Sequence, residues 1–220
     1  MTKLLLIRHA QSLNNAKPEH LRIPDPGLTD LGHEQAKRAA SWLARWEVTQ
    51  LYSSPFLRAL QTVAPISRQL GMSVNIRADI FEQGGCYQGH LPGEEKGEPG
   101  MTRSEILRHY PAWDVDGEIS DEGWWKSRPF ETWEQATVRA RRVASWLSAT
   151  IATQDGCHAI VTHGDFKRIL IYALLDDEID ERRFGPIYNT SITQFVARDG
   201  RWVLDSYNTT SHLAPNQLTL

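Results

Sequence analysis

The sequence predicts an α/β protein, a three-layer α/β/α sandwich with a mostly parallel central sheet, an antiparallel edge strand and an inserted cap region. Short apolar strands alternate with helical segments along the 220 residues, which is the pattern of a parallel sheet covered on both faces. Near the end, SITQFVARDGRWVLDSYN holds two strand-like segments around Asp199-Gly200, which predicts a hairpin. We expect one domain over residues 1–220, in which residues 84–130 form a cap for substrate recognition.

The first half begins with a short, unalternating apolar strand, LLLI, as expected of a strand buried on both faces. Thr29 is a candidate N-cap for a helix whose apolar stripe recurs at helical spacing. A second strand, VTQLYSSP, runs into a helix for which we expect Ser54 as the cap and Pro55 as the first residue. That helix should end at Gly71.

Residues 84–130 differ from the rest in being rich in glycine, proline and charge. One short helix is predicted at TRSEILRHY, where Thr102 and Glu105 have the spacing of a capping box. A segment this long without periodic structure inside a compact chain is usually functional or disordered. Its tryptophans, Trp113, Trp124 and Trp125, favour a functional cap.

The second half repeats the strand-helix pattern. Thr132 and Gln135 open a long helix, and the strand HAIVTHGD then ends in a histidine. A further helix is expected from about Phe166 to Leu175. With the terminal hairpin, these elements complete the predicted sheet.

Composition and charge limit the classes of partner. A formal net charge of −3 argues against non-specific nucleic-acid binding by the whole chain. No apolar run approaches the roughly 20 residues of a membrane span, and no signal-peptide cleavage site follows the first residues. The two cysteines, Cys86 and Cys157, are far apart in the sequence, so we expect no disulfide framework and a cytoplasmic location.

Basic side chains follow three of the predicted strands at their carboxyl ends. They are Arg8-His9, His163-Gly164 and, at the start of the helix after the second strand, Arg58. Ligands of open parallel sheets bind outside the carboxyl ends of the strands. Guanidinium and imidazole groups beside free backbone N–H groups suit a compact anion such as phosphate. Each residue alone is more often a solvated or capping residue, so the pattern predicts an anion site without naming a reaction.

Several rival chemistries lack their motifs. The sequence has no GxxxxGK[ST] loop, no GxSxG elbow, and no cysteine followed six positions later by arginine. DVDGE follows HYPAW rather than a buried strand, so we expect an acidic turn there and not a metal-binding pair of aspartates. The remaining histidines show no metal-ligand spacing. We therefore expect no metal and no cofactor.

An ordered set of segments resembles the histidine phosphatase superfamily, also called phosphoglycerate mutase-like. RHAQSLNN resembles its signature R-H-G-E-[ST]-x-x-N, GLTDLGHEQAKRAA its P-L-T-x-x-G-x-x-Q-A segment, and LYSSPFLRALQT its S-x-x-x-R-A-x-Q-T element. VTHGD resembles its second histidine segment, and NTTSHL is also similar to this group. The resemblance covers both ends of the chain and hardly touches residues 84–130.

The resemblance implies a metal-independent phosphomonoesterase of the histidine acid phosphatase type that acts on a small organic phosphate ester. It implies that His9 is the nucleophile and becomes a phosphohistidine, and that Glu82, in DIFEQGG, is the proton donor. The implied phosphate-binding residues are Arg8, Asn15, Arg58, His163 and Gly164.

Two departures and two alternatives accompany the resemblance. Ala10 stands where the family usually has glycine, which matters if that position needs a positive φ, and Gln11 replaces a common glutamate. Mutases of the family usually carry an arginine-rich, tyrosine-containing middle stretch, whereas this one is acidic and rich in tryptophan. A phosphatase therefore fits better than phosphoglycerate mutase-type transfer or a non-catalytic member that binds a phosphorylated ligand.

The middle stretch leaves its own alternatives open. Its three tryptophans could contact an apolar leaving group or could pack the cap against the rest of the domain. Lys96, Arg103 and Arg128 are candidates for a second anion contact. The sequence leaves the oligomeric state undetermined.

Overall fold

The computed structural model describes residues 1–89, 93–176 and 184–220. The predicted cap is thus described except for residues 90–92. Within these ranges the strands are β1 (Thr2–Arg8), β2 (Val48–Ser53), β3 (Asn75–Ile76), β4 (Tyr87–Gln88), β5 (Lys96–Gly97), β6 (Asp114–Val115), β7 (Gly156–Thr162), β8 (Ile192–Arg198) and β9 (Arg201–Thr209). The α-helices are α1 (Asp30–Leu43), α2 (Leu57–Leu70), α3 (Arg103–His109), α4 (Trp133–Trp146) and α5 (Gly164–Leu174).

Seven strands form one sheet in the order β6-β3-β2-β7-β1-β8-β9. Neighbours from β6 to β1 are parallel, whereas β8 runs antiparallel to β1 and β9 antiparallel to β8. The predicted mostly parallel sheet with an antiparallel edge is confirmed. The β8–β9 pair is the hairpin expected around Asp199-Gly200.

Helices cover both faces of this sheet, and β1 shows why its sequence does not alternate. Leu5 and Ile7 pack into an apolar cluster with residues of α1 and α2. Leu4 and Leu6 pack into a second cluster with residues of α4 and α5. Because both faces of β1 are covered, every side chain of its apolar run is excluded from water. No helix among the described residues is long and apolar enough to cross a membrane.

Most predicted helix starts are confirmed by side-chain caps. Thr29 Oγ1 accepts a hydrogen bond from the Gly32 N–H at 3.0 Å, and capping boxes open α3 at Thr102 and α4 at Thr132. Such caps satisfy backbone donors that a helix leaves unpaired at its first turn. Gly71 ends α2 in the left-handed conformation, with φ of 66°.

The predicted start of α2 is wrong. The helix begins at Leu57, and its N-cap, Phe56, supplies no side-chain hydrogen bond. The Leu57 N–H instead donates to Asp25 Oδ1 at 2.8 Å. Ser54 lies before the helix, where its hydroxyl contacts His163.

The segment at residues 84–130 joins the main body more closely than a separate cap would. Its strand β6 pairs in parallel with β3 at the edge of the sheet, so the expected acidic turn is wrong for Asp114 and Val115. The turn comes just after the strand, where Asp116 Oδ1 accepts a hydrogen bond from the Glu118 N–H at 3.0 Å. A two-residue strand is too short for periodicity to reveal.

Candidate active site

His9 and His163 lie side by side because their strands are parallel neighbours in register. Arg8, the last residue of β1, pairs with Thr162, the last residue of β7. The residue that follows each strand is a histidine, so both histidines lie at the same end of the sheet. The two ring centroids are 5.0 Å apart, and both side chains are buried.

The hydrogen bonds of His9 assign its tautomer. Its Nδ1 lies 2.7 Å from the Ala10 carbonyl oxygen, and a carbonyl can only accept, so Nδ1 carries the proton. This leaves a lone pair on Nε2, which accepts a hydrogen bond from Arg58 Nε at 3.3 Å. Burial holds the pKa of His9 well below 6.5, and the Arg58 and Arg8 cations lower it further. His9 is therefore neutral.

His163 is held from behind by Ser54. Its Nε2 lies 2.7 Å from Ser54 Oγ, and that oxygen also accepts a longer hydrogen bond, 3.4 Å, from the Phe56 N–H. The serine hydroxyl has one proton, and when that proton is donated to Nε2 the ring proton lies on Nδ1. That buried nitrogen has no hydrogen-bond partner among the described residues. Burial, first, and the charge of Arg58 lower the pKa of His163 well below 6.5.

Arg8 passes close to the first turn of α5. Its Nη1 donates to the Ile187 carbonyl oxygen at 2.5 Å. A Cβ at Gly164 would lie 3.2 Å from Arg8 Nε, which is tighter than an ordinary contact. A glycine at this position therefore lets the guanidinium lie against the backbone where α5 begins.

Glu82 lies at the N-terminus of the same helix. Its Oε1 accepts hydrogen bonds from the Phe166 N–H at 2.9 Å and the Gln83 N–H at 3.0 Å. The Asp165 N–H donates to Oε2 at 3.4 Å. Burial, and then the nearby Asp165 carboxylate, raise the pKa of Glu82, while the Phe166 N–H and Arg58 act in the opposite direction.

The loop after His9 is braced by polar contacts with α1 and α2. The Ala10 N–H donates to Thr62 Oγ1 at 3.0 Å, and Ala10 is not among the described non-glycine residues with positive φ. The alanine therefore causes no backbone strain here. Gln11 Oε1 accepts a hydrogen bond from Thr29 Oγ1 at 2.7 Å. Asn15 Oδ1 accepts from the N–H and hydroxyl of Ser12, so its contact with a phosphate stays a prediction.

Three further residues support the site and were missed by the sequence reasoning. Asn189 Nδ2 donates to the His9 carbonyl oxygen at 3.0 Å. Asp25 caps α2 next to Arg58, and burial raises the pKa of this carboxyl to about 7. Ser54, predicted as a helix cap, contacts His163 instead. No local pattern marks these residues, since their partners are distant in sequence.

Five candidate contact residues of the cap are engaged in packing or in backbone hydrogen bonds. Trp124 and Trp125 belong to the apolar core, and Trp113 stacks on Tyr110 with 3.7 Å between ring centroids, which favours the packing role over a contact with the leaving group. Arg103 donates to the carbonyl oxygens of Val115 and Asp116. Arg128 donates to the Trp125 carbonyl oxygen at 3.0 Å.

A cavity of about 980 Å³ lies between α4 and residues 116–131. Phe81, Trp124, Trp125 and Arg139 line it, and neither His9 nor His163 does. Among the described residues, no group of three or more His, Cys, Asp or Glu side chains could hold a metal ion.

The fold and the cluster define an α/β protein that gathers two arginines, two neutral histidines and a carboxyl group at one end of a parallel sheet. Comparison with known families then identifies it. The model of the histidine phosphatase superfamily (branch 1) matches residues 4–210. The chain belongs to this family of enzymes, as the sequence motifs predicted.

Its relatives include phosphatases of similar length. The glucosyl-3-phosphoglycerate phosphatase of Mycolicibacterium vanbaalenii is 28% identical, over 98% of each chain. Phosphoserine phosphatase 1 of Hydrogenobacter thermophilus is 26% identical, over 97% of this chain and 95% of the other. Among solved structures, the phosphoserine phosphatase of Entamoeba histolytica in complex with 3-phosphoglyceric acid superimposes with a TM-score of 0.66. It is 26% identical and covers 97% of this chain and 100% of its own.

Proposed function

We propose that this protein is a phosphomonoesterase of the histidine acid phosphatase type that forms a phosphohistidine on His9 without a metal. The observation that carries the proposal is the state of the His9 ring. The Nδ1–H of His9 donates to the Ala10 carbonyl oxygen, and the pKa of His9 is lowered. Nε2 therefore carries a lone pair, which is directed toward Arg58. A neutral, oriented imidazole is the nucleophile that phosphoryl transfer through histidine requires.

In the first step Nε2 of His9 attacks phosphorus in line with the ester oxygen. The P–O ester bond breaks as the P–N bond forms, and Glu82 gives its proton to the departing alkoxide. The raised pKa of Glu82 favours the protonated carboxyl that this step needs. In the second step Glu82 accepts a proton from water, which attacks phosphorus, breaks the P–N bond and releases inorganic phosphate.

The remaining residues of the cluster supply positive charge and hydrogen bonds. Arg8, Arg58 and the Nδ1–H of His163 would stabilise the equatorial phosphoryl oxygens, which is the main contribution a protein makes to phosphoryl transfer. Gly164 makes room for Arg8, and Asn15 is proposed at the rim of the pocket.

The proposed substrate is a small organic phosphate ester in the cytoplasm. The names of the relatives, glucosyl-3-phosphoglycerate phosphatase and phosphoserine phosphatase, are consistent with a polar leaving group. We propose that the chain is one domain over residues 1–220 and that residues 84–130 form the wall of the substrate pocket beside the leaving group. Hydrolysis is favoured over mutase-type transfer because both of these relatives are named phosphatases and align with nearly the whole of this chain.

Turnover with EDTA present tests the proposal. We expect inorganic phosphate from 4-nitrophenyl phosphate and phosphoserine, together with a trapped phosphoprotein that is labile in acid and stable in base. His9→Ala should lose both, whereas His33→Ala, at an exposed position of α1, should lose neither. Phosphoprotein persisting in His9→Ala, or phosphate release only after a divalent metal is added, would contradict the mechanism. With 3-phosphoglycerate as a third substrate, isomerised phosphoglycerate without phosphate would identify a mutase, and binding of these esters without turnover would identify a non-catalytic member.

A further inference from the structure

Arg139 of α4 is a buried arginine that the proposed reaction does not use. Its Nε and Nη2 donate to the two carboxylate oxygens of Glu131 at 2.7 and 2.6 Å. Its Nη1 donates to the carbonyl oxygens of Asp79 and Phe81 at 2.9 and 3.0 Å. Each nitrogen of the guanidinium is therefore engaged, and one of them holds the backbone immediately before Glu82.

The same guanidinium contacts two aromatic rings that belong to neighbours of Glu82. It is 3.6 Å from the ring centroid of Phe81 and 4.0 Å from that of Phe166. Phe81 precedes Glu82 in the chain, and the Phe166 N–H donates to the Glu82 carboxylate. Arg139 thus contacts both the segment that carries this carboxyl group and the residue that orients it.

Glu131 fastens the segment just beyond Glu82. Its carbonyl oxygen accepts a hydrogen bond from Gln83 Nε2 at 2.6 Å, and its N–H donates to the Gly84 carbonyl oxygen at 3.1 Å. The Glu131–Arg139 pair therefore holds the backbone before Glu82 through Arg139 and the segment after it through Glu131. A buried ion pair stabilises a fold little compared with apolar residues of the same volume. What the Glu131–Arg139 pair offers instead is a rigid bidentate geometry that fixes the positions of both side chains.

We propose that Arg139, together with Glu131, is a positioning residue that holds Glu82 where it can protonate the leaving group. This inference rests on the proposed function, in which Glu82 is the proton donor. A proton donor acts only within hydrogen-bond reach of the leaving oxygen. Displacement by about 1 Å costs on the order of a hundredfold in rate.

The choice of leaving group separates positioning from simple loss of structure. An alkyl phosphate such as phosphoserine leaves as a strongly basic alkoxide and needs the proton. 4-Nitrophenolate is a weak base and leaves without one. A displaced Glu82 therefore lowers kcat/KM for the alkyl ester much more than for the aryl ester, whereas loss of folded enzyme lowers both equally.

The experiment measures kcat/KM for phosphoserine and 4-nitrophenyl phosphate in the full-length enzyme and its variants. Glu82→Gln is the reference for loss of the donor, and Arg142→Lys, on the exposed face of α4, is the matched control. We expect Arg139→Lys to lower the alkyl-to-aryl ratio at least tenfold and Arg142→Lys to leave it unchanged. The double variant Glu82→Gln/Arg139→Lys should have the ratio of Glu82→Gln alone, because both changes remove one function.

Each other outcome overturns a distinct claim. An unchanged ratio in Arg139→Lys beside a lowered ratio in Glu82→Gln contradicts the positioning role and leaves the proposed function intact. A further fall of the ratio in the double variant also contradicts it. A normal ratio in Glu82→Gln contradicts the proton donor and hence both proposals. If Arg139→Lys does not fold, Glu131→Gln, which keeps the side-chain shape, provides the same comparison.

Discussion

The Nε–H of Arg58 donates to Nε2 of His9 over 3.3 Å, so a buried cation rests directly on the lone pair of the proposed nucleophile. A phosphoryl group attacked in line must sit in front of that nitrogen. Arg58 then has to exchange its contact with the imidazole for contacts with phosphoryl oxygens. One residue would thus both keep the ring neutral and receive the substrate.

Replacing Arg58 should expose both roles. In Arg58→Gln we expect kcat/KM to fall about 100- to 1000-fold, as when one donor to a developing anion is lost. The pKa of His9 should rise, because the Arg58 cation is one cause of its depression. The acidic limb of the profile of kcat/KM against pH should therefore move to higher pH. An unmoved limb would show that Arg58 does not act on the ring, and Arg142→Gln is the matched control.

Ser54 should matter through His163 rather than through α2. Ser54→Ala leaves the buried Nε2 of His163 without its partner, which costs about 1–3 kcal/mol, and allows the ring proton to move away from Nδ1. We expect kcat/KM to fall about 5- to 150-fold for that difference in free energy. Ser54→Thr keeps the hydroxyl and should restore most of the activity. Equal losses in Ser54→Ala and the neighbouring Ser53→Ala would argue against a specific bond to His163.

The pH profile should have an acidic optimum. His9 must be neutral, and its pKa lies well below 6.5, so activity persists at pH values where an ordinary histidine would be charged. Glu82 must be protonated, and its pKa is raised above 4.5, so activity falls as the pH increases through that raised value. In Glu82→Gln this descending limb should lose the contribution of the carboxyl. The same substrate is used for the wild-type enzyme and for Glu82→Gln, so that the ionisation of the substrate affects both profiles alike. The control variant Glu134→Gln should keep the descending limb.

Gly32 should be intolerant of any side chain. A Cβ there would lie 2.0 Å from the Gln11 carbonyl oxygen, which is backbone and cannot move aside cheaply. We expect Gly32→Ala to lower the free energy of unfolding by about 1–3 kcal/mol or more and to lower kcat/KM by shifting the loop after His9. At Gly117 an added Cβ would meet nothing within 4 Å. Gly117→Ala should therefore change stability in urea unfolding by less than about 0.5 kcal/mol; similar losses in both variants would contradict the argument.

The features that could be predicted from the sequence are those whose causes are local or periodic. Thr29, Thr102 and Thr132 cap their helices because the cap and its backbone partner lie three residues apart. The approach of His9 to His163 followed from two buried strands that end in histidine, since parallel strands of one sheet bring their carboxyl ends together.

The features that could not be predicted depend on packing between distant segments. Ser54 resembles a cap in every local respect, and its partner His163 lies 109 positions along the chain. Arg139 and Arg142 lie three residues apart on one helix and look alike in the sequence, yet one is buried against Glu131 and the other is exposed. Only the three-dimensional arrangement distinguishes them.

The pairing of Arg8 with Thr162 across β1 and β7 also has a consequence for how this chain tolerates change. Side chains alternate between the faces of a strand, so adding or deleting one residue inside either strand would turn its histidine to the opposite face. The loops that connect elements between the two strands are not subject to this alternation. An insertion in one of the loops between them changes neither the register of β1 with β7 nor the separation of the two imidazoles.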